Sequence, residues 1–359
     1  MKFVHMADMH FDAPFTLLSD KNNFGDLRRL DQRKALKKII EYIKNNNIEY
    51  LFISGDLYEH QYIRNTTIEY INNLFGEIPN TKIFISPGNH DPYINNSMYK
   101  TINWNKNVKI FSEEIEKCTY GDINIYGFGF NDFYQKNSDI EEIKIDEPDK
   151  INILITHASL DGNYDNYREY NPLSEKKLKN IGFDYIALGH VHKRYISEDK
   201  KIVYPGSTIS LGFDEIGQHG IIVGEIKNKK IDLDFIPIDD KEFVVEDLDI
   251  TNIISKEELI EKINNIELEN NKLYEINMVG RRNFEINKYE INKFILKTNI
   301  IKLKDSTKAN VDIEKLVNEN TLRGLFVKEL IEKINSEENK ENKKILEDAL
   351  EIGLEILDK

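Results

Sequence analysis

Residues 185–193 read YIALGHVHK, an apolar run that ends in a glycine and two histidines one residue apart. Tyr185 to Leu188 look like a buried strand, so the meaning of the two histidines depends on what stands at the ends of the other strands. KFVHMAD runs into Asp8 and His10; YLFISGD ends in Asp56; KIFISPGN is followed by Asn89 and His90; INILITHA carries His157; YIALGHVH carries His190 and His192. In open α/β sheets, groups at the carboxyl ends of neighbouring strands converge on one crevice. Taken singly, each fragment is weak, since an Asp at a strand end is usually a turn former and GNHD reads as an ordinary turn. Five of the eight histidines stand at such ends beside Asp8, Asp56 and Asn89, and that combination points to one convergent site.

The elements around these ends set the fold class. Amphipathic stretches, LRRLDQRKALKKIIEYIKNN and RNTTIEYINNLFGEI, separate the early strands, a spacing that predicts a mostly parallel sheet. The later runs KIVYPGS, GIIVGEI and IDLDFIPI follow one another closely and predict a second, mixed sheet. A layered α/β/β/α sandwich over residues 1–240 is the expectation. Residues 241–304 read as a small α/β cap, with a strand at FVVEDLDI, a helix opened by the capping box Ser255-x-x-Glu258, and strands at KLYEINMVG and FILKTNIIKL. Residues 305–359 read as a helical tail, with Leu322, Leu325, Phe326, Leu330 and Ile334 in one stripe and Leu346, Leu350, Leu354 and Leu357 in another. Two helices packing on each other or on the body are the commoner case, and a partner-binding pair is the rarer one.

Composition excludes several classes. A chain of 359 residues, 40% hydrophobic and 31% charged with 8 prolines, belongs to the globular class and has room for one large domain and one or two smaller ones. No apolar run reaches the ~18 to 20 residues that span a bilayer. The opening MKFVHMADMHF has no signal-peptide pattern. The single cysteine, Cys118, excludes an intramolecular disulfide and a multi-cysteine zinc site, and the cytoplasm is the expected location. The net charge of −14 is spread: residues 1–240 hold 29 basic and 37 acidic groups, residues 241–359 hold 20 and 26. Neither part is a basic arm, so a polyanion must be drawn by local clusters or bound cations.

Carboxylate, carboxamide and imidazole donors without thiolate suit Mn²⁺, Fe²⁺ or Zn²⁺. Asp8, His10, Asp56, Asn89, His157, His190 and His192 are too many for one tetrahedral ion. They suit two ions about 3.5–4 Å apart that share a carboxylate. Gly189 is expected to let the chain turn close to an ion, and an extended His-x-His to aim both rings to one side with Val191 pointing away.

The ordered set D-x-H, G-D, G-N-H-[DE], H and G-H-x-H over residues 8–192 resembles the calcineurin-like metallophosphoesterase superfamily. YPGSTISLGFDEIGQHGIIVGEI is similar to the segment after the last metal motif in DNA repair exonucleases of the SbcD type and their YhaO-like relatives. The resemblance implies one ion on Asp8, His10, Asp56 and His192 and another on Asp56, Asn89, His157 and His190, with Mn²⁺ the first choice and Fe²⁺, Zn²⁺ or Mg²⁺ as alternatives. It implies that His90 contacts the scissile phosphate or protonates the leaving oxygen. The implied reaction is two-metal in-line hydrolysis of DNA phosphodiesters in repair, exonucleolytic and compatible with endonuclease action. An SbcC-like coiled-coil ATPase docking on the carboxy-terminal helices is the implied partner, and a homodimer is compatible. A phosphodiesterase or phosphatase acting on a small nucleotide or phosphoprotein is the alternative. A non-catalytic scaffold is opposed by the complete ligand set together with His90.

One position departs from the pattern. Three residues after Asp56, nuclease relatives carry a histidine or aspartate, and here Glu59 stands. Glu59 is expected to accept a hydrogen bond from His90 and fix its tautomer, with capping of the next helix as an equal alternative. Arg28, Arg29, Arg33, Lys34, Arg64, Lys193 and Arg194 are candidate phosphate contacts, though ordinary solvated charges are at least as common. Tyr58 and Tyr62 as stacking groups and GRRNF as a substrate loop are minor readings; His5, His60 and His219 lie outside the ligand pattern.

Overall fold

A computed structural model describes residues 1–15, 24–161, 170–311 and 313–357. They form two compact units, Met1–Phe243 and Val244–Lys359. The first contains, in chain order, β1 (Lys2–Met6), α1 (Phe24–Asn46), β2 (Tyr50–Ile53), α2 (Asn65–Gly76), β3 (Lys82–Ile85), α3 (Met98–Thr101), β4 (Val108–Ile110), β5 (Glu116–Tyr120), β6 (Ile123–Phe128), β7 (Ile151–His157), α4 (Glu175–Ile181), β8 (Tyr185–Gly189), β9 (Tyr195–Ile196), β10 (Ile202–Tyr204), β11 (Gly220–Lys227) and β12 (Lys230–Pro237).

One six-stranded sheet has the order β12-β11-β1-β2-β3-β4 and the other β5-β6-β7-β8-β10-β9. Strands β1 to β4 are parallel, as are β6, β7, β8 and β10. Both sheets are therefore mixed. GIIVGEI and IDLDFIPI, expected in the second sheet, return to the first, where they form an antiparallel hairpin beside β1. The hairpin pairs the edge of β1 that β2 leaves open.

Side chains alternate across each strand, and the alternation makes the layers. Val4, Met6, Leu51, Ile53, Ile83 and Ile85 pack against Leu36, Ile39, Ile40 and Ile43 of α1 and Ile68, Ile71 and Phe75 of α2. Phe3, Phe52 and Phe84 point the other way, onto Ile153, Ile155, Tyr185 and Ala187 of the second sheet. That sheet's far face, Leu154, Ile186 and Leu188, packs on Leu178 of α4 and on Phe183. The result is an α/β/β/α sandwich whose inter-sheet layer is rich in aromatics, with Phe3 and Tyr185 ring centroids 4.6 Å apart. Each such buried ring is worth roughly 1.5–3 kcal/mol.

Register brings the strand ends level. Met6 pairs with Ile53, Ile53 with Ile85, and His157 with Gly189. At this rim the two sheets nearly touch. A Cβ on Gly189 would lie 1.8 Å from the Ser54 carbonyl oxygen, and Gly189 does not have a positive φ. Its missing side chain therefore admits the other sheet's backbone; the turn itself falls on His190, at φ 104°. The extended His-x-His expected from the sequence is not formed. Deeper in the same layer, buried His5 bridges the sheets through Nδ1 to the Tyr185 hydroxyl at 2.8 Å and Nε2 to the Ser54 hydroxyl at 3.0 Å.

The second unit contains β13 (Glu242–Asp249), α5 (Lys256–Asn265), β14 (Lys272–Val279), β15 (Arg281–Arg282), α6 (Lys288–Asn292), β16 (Ile300–Asp305), β17 (Lys308–Ala309), α7 (Ile313–Val317), α8 (Leu322–Ser336) and α9 (Lys340–Leu357). Its strands form the sheets β13-β14-β16 and β15-β17. Half of the capping box expected at α5 is formed: the Ser255 hydroxyl accepts from the Glu258 amide at 3.2 Å, whereas the Glu258 carboxylate reaches past the cap and accepts from the Ile254 amide at 3.0 Å. The strand expected at 294–303 begins only at Ile300: α6, capped by Asn287, ends at Asn292, and residues 294–299 are turn and irregular chain in which Phe294 and Leu296 are exposed. Helices α8 and α9 pack through Val327, Ile334, Leu350 and Leu354, while Leu322 and Leu325 of the expected stripe are 74% and 64% exposed. Among the described residues, no helix is long and apolar enough to cross a membrane.

The close approach at the rim has a direct test. Gly189→Ala is expected to lower unfolding stability in urea by about 2–3 kcal/mol or more, the cost of overpacking a rigid backbone contact. Gly212→Ala, where an added Cβ meets nothing within 4 Å, should change it by less than about 0.5 kcal/mol.

Candidate metal centre

The loops after β1, β2, β3, β7 and β8 meet at this rim and lock onto one another. The Asp8 amide donates to the Gly55 carbonyl at 3.1 Å and the His10 amide to the Asp56 carbonyl at 2.9 Å. Asp8, His10 and Asp56 take φ near +50°, at 51°, 49° and 52°. Such backbone is uncommon outside glycine and clusters where neighbouring structure enforces it. Asp91, fully buried, accepts from the amides of Asp56, Leu57 and Gly88 at 3.1, 2.7 and 2.7 Å and from the Tyr99 hydroxyl at 2.5 Å. One carboxylate thus ties the loop carrying Asp56 to the loop carrying Asn89 and His90.

Asp8, His10, Asp56, Asn89, His157 and His192 bring side-chain donors together. Donor atoms of Asp8, His10 and His192 lie within 4.8 Å of one another, as do those of Asp8, Asp56 and His157, and those of His10, Asp56 and His90. His10 Nε2 is 3.2 Å from His192 Nε2 and 3.8 Å from Asp56 Oδ2. His157 Nε2 is 3.0 Å from Asn89 Oδ1 and 3.4 Å from Asp56 Oδ2. His190 gives its backbone amide to the Asp8 carboxylate at 3.1 Å and sets its ring 5.2 Å from that of His157.

The outer nitrogens show why this set fits cations. His10 Nδ1 meets Glu59 Oε1 at 2.7 Å, His192 Nδ1 meets Glu215 Oε1 at 2.5 Å, and His157 Nδ1 meets the Ser54 carbonyl at 2.9 Å. All three partners are acceptors only, so each Nδ1 carries a proton, and in the neutral ring each Nε2 turns a lone pair inward. Two facing Nε2 atoms, and an Nε2 facing only oxygens, are stable with either a proton or a metal ion between them. Two carboxylates, a carboxamide oxygen and imidazoles without thiolate are donors that divalent ions such as Mn²⁺, Fe²⁺ or Zn²⁺ accept.

Glu59 joins two rings. Its Oε2 meets His90 Nδ1 at 2.9 Å while Oε1 holds His10. The contact to His90 is the one expected from the sequence; the contact to His10 was not. His90 leaves its outer edge free, with a side chain 44% exposed. Glu215 and Asp91 were also missed. Asp91 had a visible signal as the last letter of GNHD, whereas an acid in the glycine-flanked loop GFDEIGQHG reads as solvent-facing. Arg28 is fully buried and bound to Asp239 at 2.7 Å and to the Ser210 carbonyl at 2.8 Å, so it holds the loop before Gly212 and cannot meet a phosphate. Tyr58 is likewise buried, its hydroxyl accepting from the Met98 amide, and offers no stacking face.

Comparison with known proteins matches residues 1–194 to the family model described as calcineurin-like phosphoesterase. The uncharacterized metallophosphoesterase YhaO of Bacillus subtilis is 24% identical over 247 residues, covering 66% of this chain and 60% of YhaO. The match thus spans less than two thirds of the length of YhaO. The SbcD component of the nuclease SbcCD of Staphylococcus saprophyticus is 28% identical over 273 residues, covering 66% of this chain and 69% of that protein. TT1561 of Thermus thermophilus, a crystal structure, is 12% identical with a TM-score of 0.38, covering 65% of this chain and 98% of that one.

The centre's charges set a pH dependence. Burial disfavours charged rings, but the charge of Asp56 and the hydrogen bond to Glu59 outweigh it at His90, raised to about 10. Burial is likewise outweighed at His157 by Asp56, and at His192 by Glu215, and both rings rise to about 9. Against their own burial, Glu59 is held at about 2 by His10 and His90, and Glu215 at about 2 by His192. A ring whose folded pKa lies above its ordinary 6.5 contributes stability below pH 6.5 and loses it as pH rises through the folded value. The shares of His157 and His192 should therefore make metal-free protein melt at progressively lower temperature from about pH 6.5 to about 9. Saturating Mn²⁺ should remove this alkaline limb, because the ion binds the deprotonated nitrogens; differential scanning calorimetry across that range checks both expectations.

Proposed function

Because the chain belongs to the calcineurin-like phosphoesterases, we propose that it hydrolyses phosphodiester bonds of DNA with two divalent ions, Mn²⁺ foremost. The observation that carries the reading is the pair of inward-facing nitrogen arrangements: His10 against His192 at 3.2 Å, and His157 against Asn89 and Asp56. Asp8, His10, Asp56 and His192 would hold one ion; Asp56, Asn89, His157 and His190 would hold the other. Bound there, two ions lower the pKa of water and neutralise charge developing on a phosphate.

The chain's own groups supply the rest. Glu59 holds His90 Nδ1 and the side chain is 44% exposed, which would leave Nε2 to give a proton to the oxygen of the departing strand. The His90 amide donates to Asp56 Oδ1 at 2.8 Å, which fixes the imidazole relative to the shared carboxylate. DNA as substrate is supported by the likeness to a component of a protein named as the nuclease SbcCD. An SbcC-like coiled-coil ATPase is the partner we infer, seated on the tail of residues 305–359, where Leu322, Leu325, Ile345, Ile352 and Ile356 are all more than half exposed.

Purified protein is expected to cut labelled DNA, and to cleave a chromogenic small phosphodiester, only with Mn²⁺ present. His90→Ala should slow DNA cleavage by about 10²- to 10⁴-fold, the usual contribution of a positioned proton donor. Turnover of the small ester with DNA left intact would overturn the nucleic-acid assignment. Glu59→Gln is expected to shift the pH–rate profile of cleavage, and an unshifted profile would remove its orienting role at His90.

A further inference from the structure

We propose that Glu215 is a positioning residue for His192, and that the loop from Ser207 to His219 is built to hold its carboxylate in place. The inference rests on the two-ion reading. Glu215 is sequestered, its side chain 13% exposed, yet it lies in a loop with glycines at 212 and 217 and with Ile216 64% exposed. Every hydrogen bond around it works to the same end. Oε1 accepts from His192 Nδ1 at 2.5 Å, and Oε2 accepts from the Ser207 hydroxyl at 2.6 Å and the Leu211 amide at 3.1 Å. The Glu215 carbonyl accepts from the Ser210 hydroxyl at 2.8 Å and lies 3.0 Å from His219 Nε2. His219 Nδ1 lies 2.8 Å from the Ser207 hydroxyl, and the Ser207 amide donates to the His192 carbonyl at 3.0 Å. Ser210 is anchored in turn by Asp239, which accepts from its amide, and by Arg28, which donates to its carbonyl.

This arrangement makes the two ion pockets unequal. In the pocket of Asp8, His10, Asp56 and His192, both imidazoles have a carboxylate behind Nδ1, Glu59 at His10 and Glu215 at His192. In the other pocket, the partner of His157 Nδ1 among the described residues is the neutral Ser54 carbonyl. A carboxylate behind an imidazole raises the basicity of the opposite nitrogen and fixes its tautomer. The first pocket should therefore bind its ion more tightly. A glutamine at 215 keeps the size but can turn its amide nitrogen toward Nδ1, which would move the His192 proton onto Nε2, the atom that faces His10.

The test uses full-length, chelator-treated protein titrated with Mn²⁺, followed by calorimetry and by the electron paramagnetic resonance of free Mn²⁺. Wild type is expected to bind in two steps. Glu215→Gln should weaken the tighter step by about 10- to 100-fold, the usual cost of losing such a partner, and leave the weaker step within about twofold. Ser207→Ala should weaken the same step by less, and it decides the matter should the glutamine variant fail to fold. At a pH alkaline enough to leave the ring neutral, histidine nitrogen shifts of the metal-free protein should place the His192 proton on Nδ1 in wild type and partly on Nε2 in Glu215→Gln. Unchanged tight binding in both variants, or loss confined to the weaker step, overturns the role of Glu215 while the two-ion reading stands. A wild-type chain that takes up no Mn²⁺ overturns that reading and this inference together.

Discussion

The first unit is organised around a cost: Asp8 and Asp56, 0% and 2% exposed, bring carboxylate oxygens within 4.8 Å of each other. At an effective dielectric constant near 20, two such charges repel by roughly 3–4 kcal/mol before desolvation is counted. A folded chain tolerates this if positive charge is supplied between them or if one carboxyl takes a proton. His10, His157 and His192 stand where protons or metal ions can supply it. Burial pushes the Asp8 carboxyl toward its neutral form, while the surrounding imidazoles hold Asp56 ionised. The fold is thus completed by whatever cations the imidazoles recruit.

Holding those groups still requires partners one layer out, and these are also acidic. Glu59 spans His10 and His90, Glu215 holds His192, and Asp91 gathers three loop amides. The loops they tie carry left-handed backbone at Asp8, His10, Asp56 and His190, conformations that such residues do not keep without cross-links. Rigidity then propagates inward through the Gly189–Ser54 contact and the His5 bridge, which link the rim to the aromatic layer between the sheets. Packing, backbone strain and ligand geometry form one mechanical system here, and a change at the rim is felt in the core.

How much of this the sequence discloses follows from which interactions are local. Strand ends bearing Asp, Asn and His are read directly, because each such residue ends its strand or follows it closely in the chain. The cap at Ser255 is equally local. Partners brought from far away leave no such trace: Glu215 sits 23 positions from His192, in a loop whose composition suggests solvent. Arg28 shows the opposite error. A charged residue on an amphipathic helix looks solvated, and only the tertiary fold places Asp239, 211 residues away, against it. The strand expected at 294–303 failed for a related reason: Phe294 and Leu296 are apolar but exposed at 57% and 81%, and hydrophobicity alone cannot separate a buried strand from an apolar surface segment.

The net charge of −14 is the remaining tension with the polyanionic substrate proposed for this chain, and distance resolves it. Charges more than about 8 Å apart in physiological salt are largely screened, so dispersed acids on remote surfaces weigh little at the rim. Near the rim, Glu59 and Glu215 are each paired with imidazoles, which leaves Asp8 and Asp56 as the carboxylates facing inward. Two divalent ions would bring four positive charges against those two negative ones. A local surplus then falls where a phosphate must sit, and His90, the exposed member of the cluster, adds to it. Attraction of this kind is short-ranged and needs no basic surface, which is why an acidic chain is compatible with a nucleic-acid substrate in a way that its composition alone would not suggest.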